Sequence, residues 1–293
     1  MSIIERLKDV LGYRPPSECN ADAPHVAIPE SESADLAIQD SAPESPVDPS
    51  MADALLSGWF KRETGELLEG FPILAQDHVL DVGCGDGAFI SFCAEQGAEV
   101  TFADIDAEKI ESVNRMLSNS NARARHAVVS DANPLPLPDA YADKIIAMEV
   151  LEHVDNPPDF LQELVRVGKP GALYLITVPD QLGEKVQQHL APPGYFEKPN
   201  HINIFDRETF ERLIVESGLI VERRTFYGFY STIFWALFWT CDHDLLAPKH
   251  PLLQQWASMW DQVLKMRDGP RIKRALDEAM PKSQAIIARK PVN

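Results

Sequence analysis

The chain is poor in the features that mark secreted, membrane-spanning or nucleic-acid-tracking proteins. Its four cysteines, Cys19, Cys84, Cys93 and Cys241, fall at neither disulfide nor metal-ligand spacing, which points to a reducing cytoplasm. No apolar run is long enough to cross a bilayer: the longest, residues 226–239, falls short of the roughly twenty residues a span needs. Residues 1–11 mix charged with apolar side chains, unlike a secretion signal, and predict a short amphipathic helix within residues 1–14. Basic residues are scarce. The net charge is −18, and residues 15–50 carry eight acids and seven prolines with no Lys or Arg. That segment is expected to be a disordered linker. The acidity, and the lack of an Arg/Lys cluster interleaved with aromatics, argue against long nucleic acid as a partner.

What is present is concentrated between His78 and Ile90. Val79-Leu80-Asp81-Val82 reads as a buried strand that runs into Gly83-Cys84-Gly85-Asp86-Gly87 and then a helix. Glycines there let the backbone turn tightly and approach a ligand, and the helix start offers free N–H groups. Asp81 precedes the glycines, and Asp104 ends the next apolar run, where a carboxylate can hold a ribose diol. Charge decides the ligand. A pyrophosphate would be repelled by Asp81 and Asp86, whereas a cationic cofactor would be attracted.

From Val79 to Gly87 the sequence resembles the signature of class I S-adenosylmethionine-dependent methyltransferases. The similarity continues through Asp104, Ser130-Asp131-Ala132 and the stretch from Asp143 to Val154. The resemblance implies S-adenosyl-L-methionine as cofactor. It implies a cofactor site of Asp81, Gly83, Cys84, Gly85, Gly87, Asp104, Ile105, Asp131, Ala132 and Glu149. Asp104 would take the ribose hydroxyls, Asp131 the adenine amino group and the Ala132 N–H a ring nitrogen.

After the turn the chain alternates helix and strand: helix 107–118, strands 124–129 and 142–149, helix 158–167, strand 172–178, helix 208–217 and strand 219–225. A last strand is expected from Gln284 to Lys290. The expected fold is α/β, a Rossmann-like doubly wound, mostly parallel seven-stranded sheet with an antiparallel last strand. In the family the last two strands form a short hairpin, but here residues 226–280 intervene, holding four of the five tryptophans. The expected organisation is therefore a methyltransferase domain of residues 51–225 plus 281–293, interrupted by an aromatic-rich helical insertion at 226–280. The insertion has three readings: a subdomain with its own core, a lid or homodimer surface over the cleft, or a peripheral membrane contact.

Glu149, Glu152 and His153 form a second constellation at the end of the fourth sheet strand. Their i, i+3, i+4 spacing predicts one face of a short helix on the ligand-binding rim. They suit a divalent cation, a general base with orienting acids, or a capped helix start. With His201, ahead of Arg207-Glu208-Thr209-Phe210, they resemble the metal site of small-RNA 3′-terminal 2′-O-methyltransferases. Glu149-Val150-Leu151-Glu152-His153 also looks like the ubiquinone-pathway O-methyltransferases. The resemblance implies Glu149, Glu152, His153 and His201 as metal ligands, with Mg2+ or Mn2+ the expected ion and iron or zinc also suited. Without a metal, His153, His201 and Glu149 remain the candidate catalytic groups. Residues 192–199 read as a substrate-facing loop in which Tyr195 and Phe196 either stack on an acceptor or pack for stability.

These features lead to O-methylation of a small molecule or glycan with vicinal hydroxyls. RNA 2′-O-methylation, N- or C-methylation, and a non-catalytic binding scaffold remain as alternatives.

Overall fold

A computed structural model describes residues 49–241 and 250–292; segment 1–14 and residues 15–48 of the linker lie outside them. The described chain opens with helix α1 (Pro49–Leu56) and a small antiparallel sheet of β1 (Trp59–Lys61), β2 (Glu66–Leu68) and β3 (Phe71–Pro72). That sheet was not expected from the sequence, since its strands are too short to show alternation. Trp59, Leu67 and Phe71 nevertheless bury in the main core.

Seven strands make the principal sheet: β4 (His78–Val82), β5 (Glu99–Asp104), β6 (Ala124–Val129), β7 (Ala142–Met148), β8 (Gly168–Pro179), β9 (Ile220–Tyr227) and β10 (Ser283–Arg289). Their order is β6-β5-β4-β7-β8-β10-β9. The first five pair in parallel, and β10 runs antiparallel to both β8 and β9. This is the fold expected from the sequence. Every residue of β4 is buried, as a central strand covered on both faces requires. Strand pleating sends Val79 and Ile146 to one apolar cluster and Leu80 and Ile145 to the other. Helices α2 (Ala88–Glu95) and α3 (Ala107–Met116) close the first, while α4 (Pro157–Val167) and α6 (Arg207–Glu216) close the second. Between α4 and α6 lies α5 (Gln181–Gln187), which follows β8 directly. Strand order reverses at β4, so the crevice beyond the strand ends opens beside its glycine turn.

Between β9 and β10 run α7 (Phe229–Thr240), α8 (Pro251–Lys265) and α9 (Gly269–Ala279). Tyr230, Trp260 and Leu264 bury together with Phe229, Phe234 and Trp256, and Ala52 of α1 packs against them. A buried ionic knot ties this layer to α1. Lys273 lies 3.2 Å from Asp53 and is bonded to Asp277, while the Trp260 indole N–H donates to Asp53 at 2.8 Å. The helices between β9 and β10 thus share an apolar cluster with α1.

Candidate methyl-donor and metal site

The glycine turn is shaped by backbone geometry that side chains resist. Gly83, Gly85 and Gly87 have φ of 75°, 54° and 80°, the left-handed region in which only glycine is unstrained. The N–H groups of Gly83 and Cys84 both donate to the Ala103 carbonyl, at 2.8 and 3.0 Å, locking the turn to β5. Asp104 ends β5, 8% exposed, and its carboxylate accepts the Gly85 N–H at 2.9 Å and the Asp106 N–H at 3.0 Å. Beside it Ile105 is bare, 72% exposed. Asp81 in β4 and Cys84 within the turn are both buried.

Asp131 and Ala132 follow β6. Asp131 is exposed and accepts the Asn133 N–H at 3.1 Å. The Ala132 N–H, expected on an adenine nitrogen, donates here to Ser130 Oγ at 3.0 Å. The charge of the cradle fits a cationic donor: Asp81 and Asp104 are carboxylates, with no basic side chain among these residues.

Residues 149–153 form a turn rather than the helix start expected from their spacing. The His153 N–H closes it on the Val150 carbonyl at 2.9 Å, and α4 begins only at Pro157 behind the Asn156 cap. Proline at the first helical position and an Asn cap place the helix start there. The acidic side chains therefore part company. Glu149, at φ 53°, accepts Thr177 Oγ1–H at 2.9 Å, Ser283 Oγ–H at 3.1 Å and a Lys282 ammonium proton. Burial alone would push its carboxyl up, but Lys282 and Thr177 outweigh burial and hold it below the ordinary value. Glu152 is 0% exposed, and neither carboxylate oxygen has a hydrogen-bond partner among the described residues. Burial and then Glu149 push its carboxyl well above the ordinary value.

His201 arrives from a segment fifty residues downstream because Asn203 clamps that segment onto the turn. Its side-chain amide donates to the Leu151 and Val154 carbonyls at 3.2 and 2.7 Å, and its N–H to the Glu152 carbonyl at 3.1 Å. One ligand atom each from Glu152, His153 and His201 then lies within 4.8 Å of the others. Glu149 is not part of that trio, its carboxylate being engaged by Lys282. The imidazole rings of His153 and His201 meet edge-on at 5.1 Å, and burial lowers the pKa of His153. His201 is flanked by Tyr195 at 4.4 Å, and Tyr195 by Trp239 of α7 at 5.7 Å.

Three residues of this site escaped sequence reasoning: Lys282 and Ser283 at the entry to β10, and Glu184 in α5, whose carboxylate accepts from His201 at 3.0 Å. None belongs to a local pattern, and only sheet order brings them to the rim.

An acidic glycine turn and a polar trio on the same rim of an open α/β sheet are the arrangement of a doubly wound fold that binds a ligand at its switch point. The family described as methyltransferase domain matches residues 52–223. The chain is 29% identical over 161 residues to a malonyl-[acyl-carrier protein] O-methyltransferase of Enterobacter lignolyticus, covering 54% of this chain and 60% of that one. It is 28% identical over 169 residues to a ubiquinone biosynthesis O-methyltransferase of an Azoarcus species, covering 52% and 71%. The solved [4+2]-cyclase SpnF shares the fold with a TM-score of 0.52, 18% identity and coverage of 83% and 82%. The chain belongs to the methyltransferase domain family, as its resemblance to the S-adenosylmethionine-dependent enzymes implies. That one such fold is a cyclase shows why the reaction has to be argued from the site.

Proposed function

We propose that the protein is an S-adenosylmethionine-dependent O-methyltransferase acting on a small molecule or glycan with adjacent hydroxyls, aided by a divalent cation. The observation that carries this reading is Glu152: a carboxyl group fully buried without a hydrogen-bond donor, with one ligand atom each of Glu152, His153 and His201 within 4.8 Å of the others. In its ionised form such a group is costly unless a cation satisfies it.

Glu152, His153 and His201 would hold the ion. One carboxylate and two imidazoles suit zinc, iron or manganese as well as magnesium. A cation there supplies Lewis acidity that eases deprotonation of a nearby hydroxyl. The methyl donor supplies the activated methyl group and its own leaving group. The residues of the chain do the remaining work. Asp104 and the glycine turn hold the donor. Val150 packs on Gly83, so the turn bearing Glu152 is fixed against the cradle. Tyr195 and Trp239 form an aromatic wall beside His201 on which a ring or sugar face stacks.

A metal-free reading has one observation in its favour. Burial, and then His201, lower the pKa of His153, which favours the neutral form that a general base needs before it accepts a proton. Turnover of the true acceptor in excess chelator separates the two: loss, with restoration by Mn2+ or Mg2+, supports the cation, and full activity leaves His153 or His201 as base. No helix among the described residues is long and apolar enough to cross a membrane. The cytoplasm is the proposed compartment. Association of the aromatic insertion with a membrane surface or a second copy is checked by liposome flotation and light scattering.

A further inference from the structure

His201 and His153 are held in different ways, and the difference assigns a role to a residue outside the trio. His153 Nδ1 lies 3.1 Å from the Pro199 backbone carbonyl, a neutral acceptor. His201 Nδ1 lies 3.0 Å from Oε2 of Glu184, which is 3% exposed. A carboxylate oxygen accepts, so this contact makes Nδ1 the donor nitrogen of His201 and turns Nε2 away from Glu184.

Glu184 is itself firmly placed. It lies in the first turn of α5, whose N-cap Asp180 accepts the Leu182 N–H at 2.9 Å. Gly183 next to it packs so tightly that a Cβ there would come 2.9 Å from the Pro281 carbonyl. Pro281 precedes Lys282, which carries Glu149. Tyr195 lies tilted against His201 with ring centroids 4.4 Å apart, and its hydroxyl donates to Glu184 Oε1 at 3.5 Å. The His201 ring is therefore held by the Glu184 carboxylate and by an aromatic ring that contacts the same carboxylate.

We propose that Glu184 is a positioning residue: it fixes His201 in the tautomer whose Nδ1–H donates to the carboxylate, and so presents Nε2 to the cluster shared with Glu152 and His153. The proposal rests on the cation reading for its effect on metal binding, though not for the tautomer. Outer partners of ligating histidines are typically worth about 10–100-fold in metal affinity.

The test uses the full chain and Mn2+ as probe. Imidazole 15N spectra of the metal-free protein, with His201 assigned by comparison with His201→Gln, should show Nδ1–H in the wild type and loss of that preference in Glu184→Ala. Mn2+ affinity, read by electron paramagnetic resonance, should fall about 10–100-fold in Glu184→Ala. Glu184→Gln keeps the shape and an acceptor but not the charge, so the tautomer should persist while Mn2+ binds several-fold more weakly. An unchanged tautomer in folded Glu184→Ala overturns the proposal. Should that variant not fold, Mn2+ affinity in Glu184→Gln equal to wild type overturns it. If the wild type binds no Mn2+, the cation reading falls on its own, and the 15N spectra still decide whether Glu184 orients the ring.

Discussion

Gly83 lies directly against Val150: a Cβ at Gly83 would sit 2.4 Å from Val150 Cγ2. The donor cradle and the acidic turn are thus one packed unit, and a change in either is felt by the other. Gly83→Ala adds this clash to the strain of a left-handed residue (φ 75°), which by itself costs of order 1–3 kcal/mol. Denaturant melts should show a loss of stability larger than in Gly218→Ala, where φ is also positive but nothing lies within 4 Å. Equal losses would mean that Val150 moves aside and that the two turns are not coupled.

Asp104 links the Gly85 N–H to that of Asp106. Asp104→Ala should weaken S-adenosylmethionine binding by about 1.5–3 kcal/mol, the range for hydrogen bonds to a charged group, as measured by calorimetry. NAD should not raise the melting temperature of the wild type, whereas the methyl donor should.

Glu152→Gln replaces a buried carboxyl that has no hydrogen-bond donor by a neutral amide of the same shape. In chelator the variant should melt no lower than the wild type, because burial already pushes this carboxyl well above its ordinary value and toward the neutral form, while Mn2+ should no longer raise its melting temperature. A large loss of stability in chelator would reveal a structural partner for this carboxylate.

Lys273→Met leaves Asp53 and Asp277 buried together without their shared cation. Breaking a buried pair in this way costs about 3–5 kcal/mol. The loss should appear in urea melts and be partly relieved by adding Asp277→Asn, since each carboxylate left charged adds to the penalty.

Glu163 accepts from Arg166 and from the Leu135 N–H, and these bonds, Arg166 foremost, hold its carboxyl below the ordinary 4.5. A folded-state value below the unfolded one means stability that is present above 4.5 and is lost as pH falls through the folded value. Melting temperatures followed downward from pH 5 should show a shallower acid limb in Glu163→Gln than in the wild type.

The glycine turn and the strands around it were legible in the sequence for a local reason. Strand β6, at Ala124–Val129, matches the expected range to the residue, and α4 differs by one. Its four-residue neighbourhood misled at Glu149, Glu152 and His153, where helical spacing suggested a common face. Asn156 and Pro157 start α4 later, and Glu149 turns back toward Lys282.

Sequence alone determined the class of protein, because a buried strand, a glycine turn and a helix start are short-range patterns written within about ten residues of one another. It also named His153 and His201. Only tertiary structure decided which groups meet. Placing β10 between β8 and β9 brings Lys282 to Glu149, the Asn203 clamp brings His201 to Glu152, and α5 after β8 brings Glu184 to His201. Those contacts depend on strand order and on side chains far apart in the chain, and no periodicity in the sequence records them.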